Sequence, residues 1–154
     1  MNITYRKSVK EDIPYINDLF IEMIKTVNKR MISEGITPYG DLEKGFEDGY
    51  LDTFYDNPNR VIYVALDGNI IVGFISICVE EGYIYLDDYS VTYSYRGKGI
   101  GTKLLDLAIN YAKEKNIDDI LTHVELSNKE SIEFYKNRGF TLVEKQENRL
   151  LIKR

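Results

Sequence analysis

The chain carries one cysteine, one histidine and three prolines in 154 residues, and it has no basic excess. A lone thiol, Cys78, cannot close an intrachain disulfide, and nothing points to an oxidising compartment. One histidine, His123, and one cysteine make no cluster with metal-ligand spacing, so no metal is expected. Pro14, Pro38 and Pro58 all lie in the first half. There is no internal repeat, low-complexity tract or linker-like stretch, so a single domain over residues 1–154 is expected. Twenty Lys and Arg against 25 Asp and Glu leave a net charge of −5, which argues against a nucleic-acid partner. Partners drawn by the long-range field would be cations. No basic-then-apolar leader opens the chain. The longest apolar run, residues 70–79, is too short to span a bilayer. The expectation is a soluble, cytoplasmic protein with no membrane partner.

What is present suits a packed domain: 44% hydrophobic and 29% charged residues. Residues 3–6 suit a short strand. Ile13, Ile16, Leu19, Phe20, Met23 and Ile24 recur at helical spacing over residues 11–30, with Pro14 tolerable in the first turn. A loop over 33–40 precedes Leu42, Phe46, Tyr50 and Phe54, which predict a second helix over 41–55. Residues 61–66 and 70–79, joined at Asp67-Gly68, form a hairpin signal. A turn at Glu81-Gly82 leads into a strand over 83–91. A helix follows the glycine-rich turn after it, then a strand over 120–126. A helix over 128–138 stops at Gly139, and strands over 140–143 and 150–152 close the chain. The order β-α-α-β-β-β-α-β-α-β-β describes a mixed α/β domain. Its sheet is mostly antiparallel and flanked by helices, with one right-handed βαβ crossover in the second half.

The stretch from Tyr83 to Ala112 organises the rest. A strand runs into Arg96-Gly97-Lys98-Gly99-Ile100-Gly101, and Ile100, Leu104, Leu107, Ala108 and Tyr111 then mark one apolar helix face. Such a helix start leaves backbone N–H groups unpaired at a partly positive end. Glycines there let an anion such as a phosphate approach. Two nucleotide motifs fail: Thr102 stands where G-x-G-x-x-G needs its third glycine, and Lys98 is not followed by Ser or Thr as a Walker loop requires.

The pattern that fits is [RQ]-x-x-G-x-[GA], filled by Arg96, Gly99 and Gly101. It resembles the acetyl-CoA-binding motif of the GNAT family of N-acetyltransferases. A second stretch, Asn128-x-x-Ser131-x-x-x-Tyr135-x-x-x-Gly139-Phe140, resembles the later half of the same family. Asn128, Ser131 and Tyr135 share one helix face, and Ser127 with Glu130 suits a capping box. The two motifs in order, with a strand between them, make the resemblance span nearly the whole chain.

The resemblance implies a GNAT fold and direct attack of an amine on acetyl-CoA in a ternary complex. The co-substrate would contact Ser90, Val91, Arg96, Gly97, Lys98, Gly99, Ile100, Gly101, Thr102, Asn128 and Ser131. An N–H near Val91 would face the thioester oxygen if the strand over 83–91 splays from that over 120–126. Tyr135 would lie beside the sulfur, as acid or as hydrogen-bond donor. An ammonium with a pKa of about 10.4 must lose a proton before it attacks. Tyr-Leu-Asp87-Asp88 resembles Tyr-Leu-Glu-Asp in polyamine acetyltransferases of this family, which makes Asp87 the candidate base, acting through a water. An undistorted strand aims only one of Asp87 and Asp88 at the pocket.

His123, amid apolar strand residues, and Cys78 are read as structural. Asp41, Glu43, Glu47, Asp48, Asp52 and Asp56, with Tyr39, Tyr50 and Tyr55, fit a cationic acceptor, whether a small-molecule amine or a peptide. The simpler reading of the same residues is the wet face of a helix whose other side is Leu42, Phe46, Tyr50 and Phe54. An exposed edge strand near the C-terminus would suit a homodimer. The competing expectation is a non-catalytic acyl-CoA-binding sensor or regulatory module.

Overall fold

The computed structural model describes residues 2–38 and 57–154. The helix expected over 41–55, and the acids and tyrosines assigned to it, lie outside the described residues. Strand β1 (Ile3–Lys7) and a single 3-10 turn (Lys10–Asp12) lead into helix α1 (Ile13–Ser33). Strands β2 (Arg60–Asp67), β3 (Ile70–Glu80) and β4 (Tyr83–Val91) form a meander. Helix α2 (Ile100–Glu114) and strand β5 (Asp119–Glu125) follow. Helix α3 (Lys129–Lys136) and strands β6 (Thr141–Lys145) and β7 (Arg149–Lys153) complete the chain.

The seven strands form one sheet in the order β1-β2-β3-β4-β5-β7-β6. Every neighbouring pair is antiparallel except β4 with β5, which is parallel and is bridged by α2. The mixed, mostly antiparallel sheet is therefore as expected. Helices cover both faces because each face carries its own apolar set. Ile62, Val64, Leu66, Ile71 and Phe74 pack against Ile13, Ile16, Leu19, Phe20 and Ile24 of α1. Tyr63, Ala65, Ile75, Ile77, Ile84 and Leu86 pack against Ile100, Leu104, Leu105, Ala108 and Ala112 of α2. Along β2 the two sets alternate residue by residue, as a period of two requires. The entry to α1 is fixed by Arg6, which donates to both oxygens of Asp12 at 2.6 and 3.0 Å, while Val9 N–H donates to Oδ2 at 2.8 Å. Those bonds, led by the one from Arg6, hold the Asp12 carboxyl below its usual range.

Two departures from a regular sheet matter. The β3–β4 register runs Ser76↔Asp88 and then Ile77↔Leu86, so Asp87 is an extra residue in β4. Strands β4 and β5 pair only at Tyr83↔Asp119, Ile84↔Ile120 and Tyr85↔Leu121. Beyond Tyr85 they separate. At the point of separation the buried Thr122 hydroxyl donates to the Leu86 carbonyl at 2.9 Å, satisfying a group that a continued ladder would have paired.

Replacing Thr122 by valine keeps the volume and removes that donor, leaving Leu86 C=O buried and unpaired. We expect a loss of about 1–3 kcal/mol, seen as a lower urea midpoint at unchanged denaturant slope.

Candidate functional site

The gap between β4 and β5 is the centre of the site, and the start of α2 is its rim. Thr92 N–H donates to Val72 C=O on β3 at 2.8 Å. Val91 is paired with Gly73 in the same ladder. Neighbouring peptide groups of a strand point to opposite edges, so Val91 N–H faces the gap. The splay that this assignment required is present.

After β4, Arg96 Nε donates back to Val91 C=O at 2.9 Å, and its guanidinium lies 5.7 Å from the Tyr93 ring centroid. Lys98 is exposed, with Nζ 5.7 Å from the Tyr95 ring. Gly97 and Gly99 have φ of 76° and 83°, and a Cβ at either would meet nothing within 4 Å. These two are glycine because of backbone conformation, and the space above them is open. Gly101 is glycine for another reason. A Cβ there would lie 2.9 Å from the Tyr89 hydroxyl, which donates to the Gly101 carbonyl. The absence of a side chain here permits close packing of Tyr89 against the start of α2.

The first bond of α2 runs from Lys103 N–H to Gly99 C=O at 3.1 Å. The N–H groups of Ile100, Gly101 and Thr102 precede it and have no acceptor within the helix. They face outward at its positive end. These amides, with open glycines before them, suit a diphosphate.

Helix α3 forms the other wall. Its N-cap is Asn128, whose Oδ1 accepts from Ser131 N–H at 3.1 Å, and not Ser127 as the capping-box spacing suggested. Asn128 and Ser131 are thus bonded to one another at the cap, both half-buried. Tyr135 is 7% exposed. Its ring packs 5.0 Å from Phe140, 5.5 Å from Phe134 and 6.5 Å from Tyr89. Burial pushes its phenol up, and a hydrogen bond with Thr122 opposes this only in part. Thr122, which acts on the Tyr135 phenol, donates to Leu86 C=O, so the phenol lies near the point where the strands part.

The α1 face of the same gap holds the ionisable groups. Before the extra residue, Ile84 and Leu86 pack toward α2; after it, Tyr89 and Val91 do. Both Asp87 and Asp88 therefore project to the opposite face. This corrects the expectation that only one could, which held for an undistorted strand. Ser90 projects to that face as well. The Asp87 carboxylate is bound to the Arg60 guanidinium; desolvation raises its pKa and Arg60 opposes the rise. Asp88 is pushed up to about 7, first by desolvation and then by the charge of Asp87, with Arg60 opposing.

Tyr85 and His123 were not anticipated as a functional pair. The Tyr85 hydroxyl and His123 Nδ1 share a hydrogen bond, and their rings meet edge-on at 5.6 Å. Tyr85 occupies the last rung before the gap. Burial and then Arg149 push the imidazole below its usual pKa, so it is neutral at pH 7. Only an adjacency across two strands reveals them; nothing in their spacing does. Cys78 is buried, bonded to Glu80 and pushed up to about 11, mainly by desolvation, which makes it an inert thiol.

A family model described as the acetyltransferase (GNAT) family matches residues 30–140. The chain is 32% identical over 111 residues to N-alpha-acetyltransferase 50 of Danio rerio, covering 67% of this chain and 66% of that protein. It is 30% identical over 110 residues to streptothricin acetyltransferase A of Bacillus subtilis, covering 65% and 64%. The matched stretch thus spans just under two thirds of each relative. A structure of PaiA N-acetyltransferase from Thermoplasma acidophilum with coenzyme A superposes with a TM-score of 0.84 at 21% identity, over 100% of this chain and 99% of that one.

Gly101→Ala forces the Tyr89 hydroxyl aside. We expect a stability loss of about 1–3 kcal/mol. The double variant with Tyr89→Phe should lose less than the two single losses added, because the clash is gone; chemical denaturation of the four proteins measures this.

Proposed function

The chain belongs to the acetyltransferase (GNAT) family, and on that premise we propose that it moves the acetyl group of acetyl-CoA to a primary amine of a small molecule or peptide. The observation that carries the reading is the union of an amide-lined helix start with a strand gap that opens after Tyr85. An elongated thioester with an anionic end needs both. The residues present fit it: open glycines and outward amides for the diphosphate, and a gap wide enough to have ended strand pairing for the pantetheine arm. Bound there, acetyl-CoA supplies an activated acyl group.

On this reading Val91 N–H donates to the thioester oxygen, and the amine approaches from the α1 face. That face suits a polar visitor. Among the described residues, Ser76 Oγ, across from Asp88, has no hydrogen-bond partner though buried, and neither have Asn17 Oδ1 and Arg30 Nε of α1. Buried polar groups are seldom left so unless something else completes them. Asp87, the base expected from the sequence, is neutralised by Arg60, so we assign the proton-accepting role to the Asp87–Asp88 pair, with Asp88 holding the proton. Two interacting carboxylates titrate as a unit. The neutral His123–Tyr85 pair at the same edge is the other acceptor in reach of the gap. A Tyr135 phenol with a raised pKa is a poor acid, and its role is to donate a hydrogen bond to the departing sulfur. The carboxylates make a cationic acceptor the preferred class.

Thiol release from acetyl-CoA with a panel of mono- and diamines tests the reaction. We expect turnover, with lower KM for diamines than for monoamines of equal length. Coenzyme A binding by calorimetry with no turnover across the panel would make the chain a sensor instead. With an active amine, kcat/KM should rise with pH through an apparent pKa near 7, since the base works only when deprotonated. Asp88→Asn should abolish that limb; if it persists there and vanishes in His123→Gln, the imidazole is the base. Tyr135→Phe should lower kcat about 10²-fold at saturating substrate; an unchanged kcat would remove the phenol from the mechanism.

A further inference from the structure

Arg138 is a cation held in place by hydrogen bonds and ring contact, with no carboxylate paired to it among the described residues. The face of α3 that carries Asn128, Ser131 and Tyr135 continues, three residues on, to Arg138 in the turn that ends the helix. Its N–H donates to Tyr135 C=O at 3.0 Å, and its carbonyl accepts from Arg154 Nε at 2.9 Å. The guanidinium carbon lies over Phe134, 3.7 Å from the ring centroid. Nη1 donates to Phe134 C=O at 2.9 Å, and Nη2 donates to Thr102 Oγ1 at 2.7 Å. Ordering a long arginine side chain costs conformational entropy, and a solvated surface charge has no such tethers. Among the described residues no carboxylate lies within 4.0 Å of it.

The position of its one side-chain partner gives the tethering a purpose. Thr102 is the third residue of α2 and the last whose N–H precedes the first intrahelical bond. Its hydroxyl accepts from Arg138 and keeps its own proton to donate. Two of the five guanidinium donors are committed, and the Thr102 bond sets the group against the first turn of α2 with three donors left over. Arg96 and Lys98, the other cations expected to serve here, rest beside the exposed Tyr93 ring and the half-buried Tyr95 ring.

Resting on the acetyl-CoA reading above, we propose that Arg138, with Thr102, is the principal side-chain ligand of the diphosphate of acetyl-CoA. A guanidinium matches two phosphate oxygens at once, where an ammonium meets one as a point charge. Helix α3 thereby serves both ends of the co-substrate: Tyr135 at the thioester and Arg138 at the anion. The protein's two walls are joined through the ligand as well as through the Arg138–Thr102 bond.

Calorimetry with coenzyme A and with 3′-dephospho-coenzyme A tests this on the intact chain. Arg138→Ala should weaken both ligands about 10- to 100-fold, and should lower the dependence of log Kd on log salt by about one unit charge. Arg138→Lys should recover only part of the affinity, and Lys98→Ala should change it less than threefold. A loss seen with coenzyme A but absent with the dephospho form would move Arg138 to the 3′-phosphate and overturn the assignment. Weakened binding with an unchanged salt slope would mean that the arginine only braces α3, and unchanged affinity would dismiss it altogether. Failure of the unsubstituted protein to bind coenzyme A would instead overturn the acetyl-CoA reading itself.

Discussion

The parting of β4 from β5 is the feature on which the site depends. A parallel pair would ordinarily continue its ladder to the ends of both strands, and here it stops after three rungs. An unfilled edge in the middle of a sheet is costly, because each buried peptide group without a partner loses about 1–3 kcal/mol. The chain meets that cost locally. Thr122 supplies a side-chain donor to Leu86 where the ladder ends, and Arg96 supplies another to the Val91 carbonyl at the far end. What remains open in between faces Val91 N–H into the gap.

The bulge at Asp87 acts on the other axis of the same strand. An extra residue shifts every later side chain to the opposite face. Upstream, Ile84 and Leu86 face α2; downstream, Tyr89 and Val91 do, and the strand stays packed along its length. The two residues at the switch are both left facing α1, and they are two acids. Sheet packing alone therefore creates a carboxylate pair, and desolvation with mutual repulsion raises the pKa of Asp88 into the neutral range. Stability and chemistry meet at this point, since the same irregularity that keeps the core continuous sets the charge.

Aromatic packing links the gap to the helix start. Tyr89 lies between Gly101 on α2 and Phe134 and Tyr135 on α3. Arg138 closes the same circuit by bonding Thr102 over Phe134. Two helices distant in sequence are thus held in one geometry by a tyrosine and an arginine. On the proposed reading, the thioester and anionic ends of the co-substrate are served together only if that geometry is kept.

Much was legible before any coordinates. The strand over 83–91, the glycine turn and the apolar face from Ile100 to Tyr111 are local signals, and local pattern dictates which residues can be buried together. The strand and helix order followed, as did the family resemblance at Arg96, Gly99, Gly101, Asn128, Ser131 and Tyr135. Other features needed the tertiary structure, because they are contacts between residues 12 to 38 positions apart. Nothing in the spacing of Tyr85 and His123, of Arg60 and Asp87, or of Arg138 and Thr102 says that they meet. The bulge likewise belongs to a pairing between two strands, so a single strand's pattern could not reveal that Asp87 and Asp88 share a face. The cap at Asn128 rather than Ser127 turned on a backbone conformation that two adjacent polar residues could each have offered. Sequence determined which segments have an inside and an outside; only their assembly decided which charges and hydroxyls came to stand together, since that depends on register and strand order.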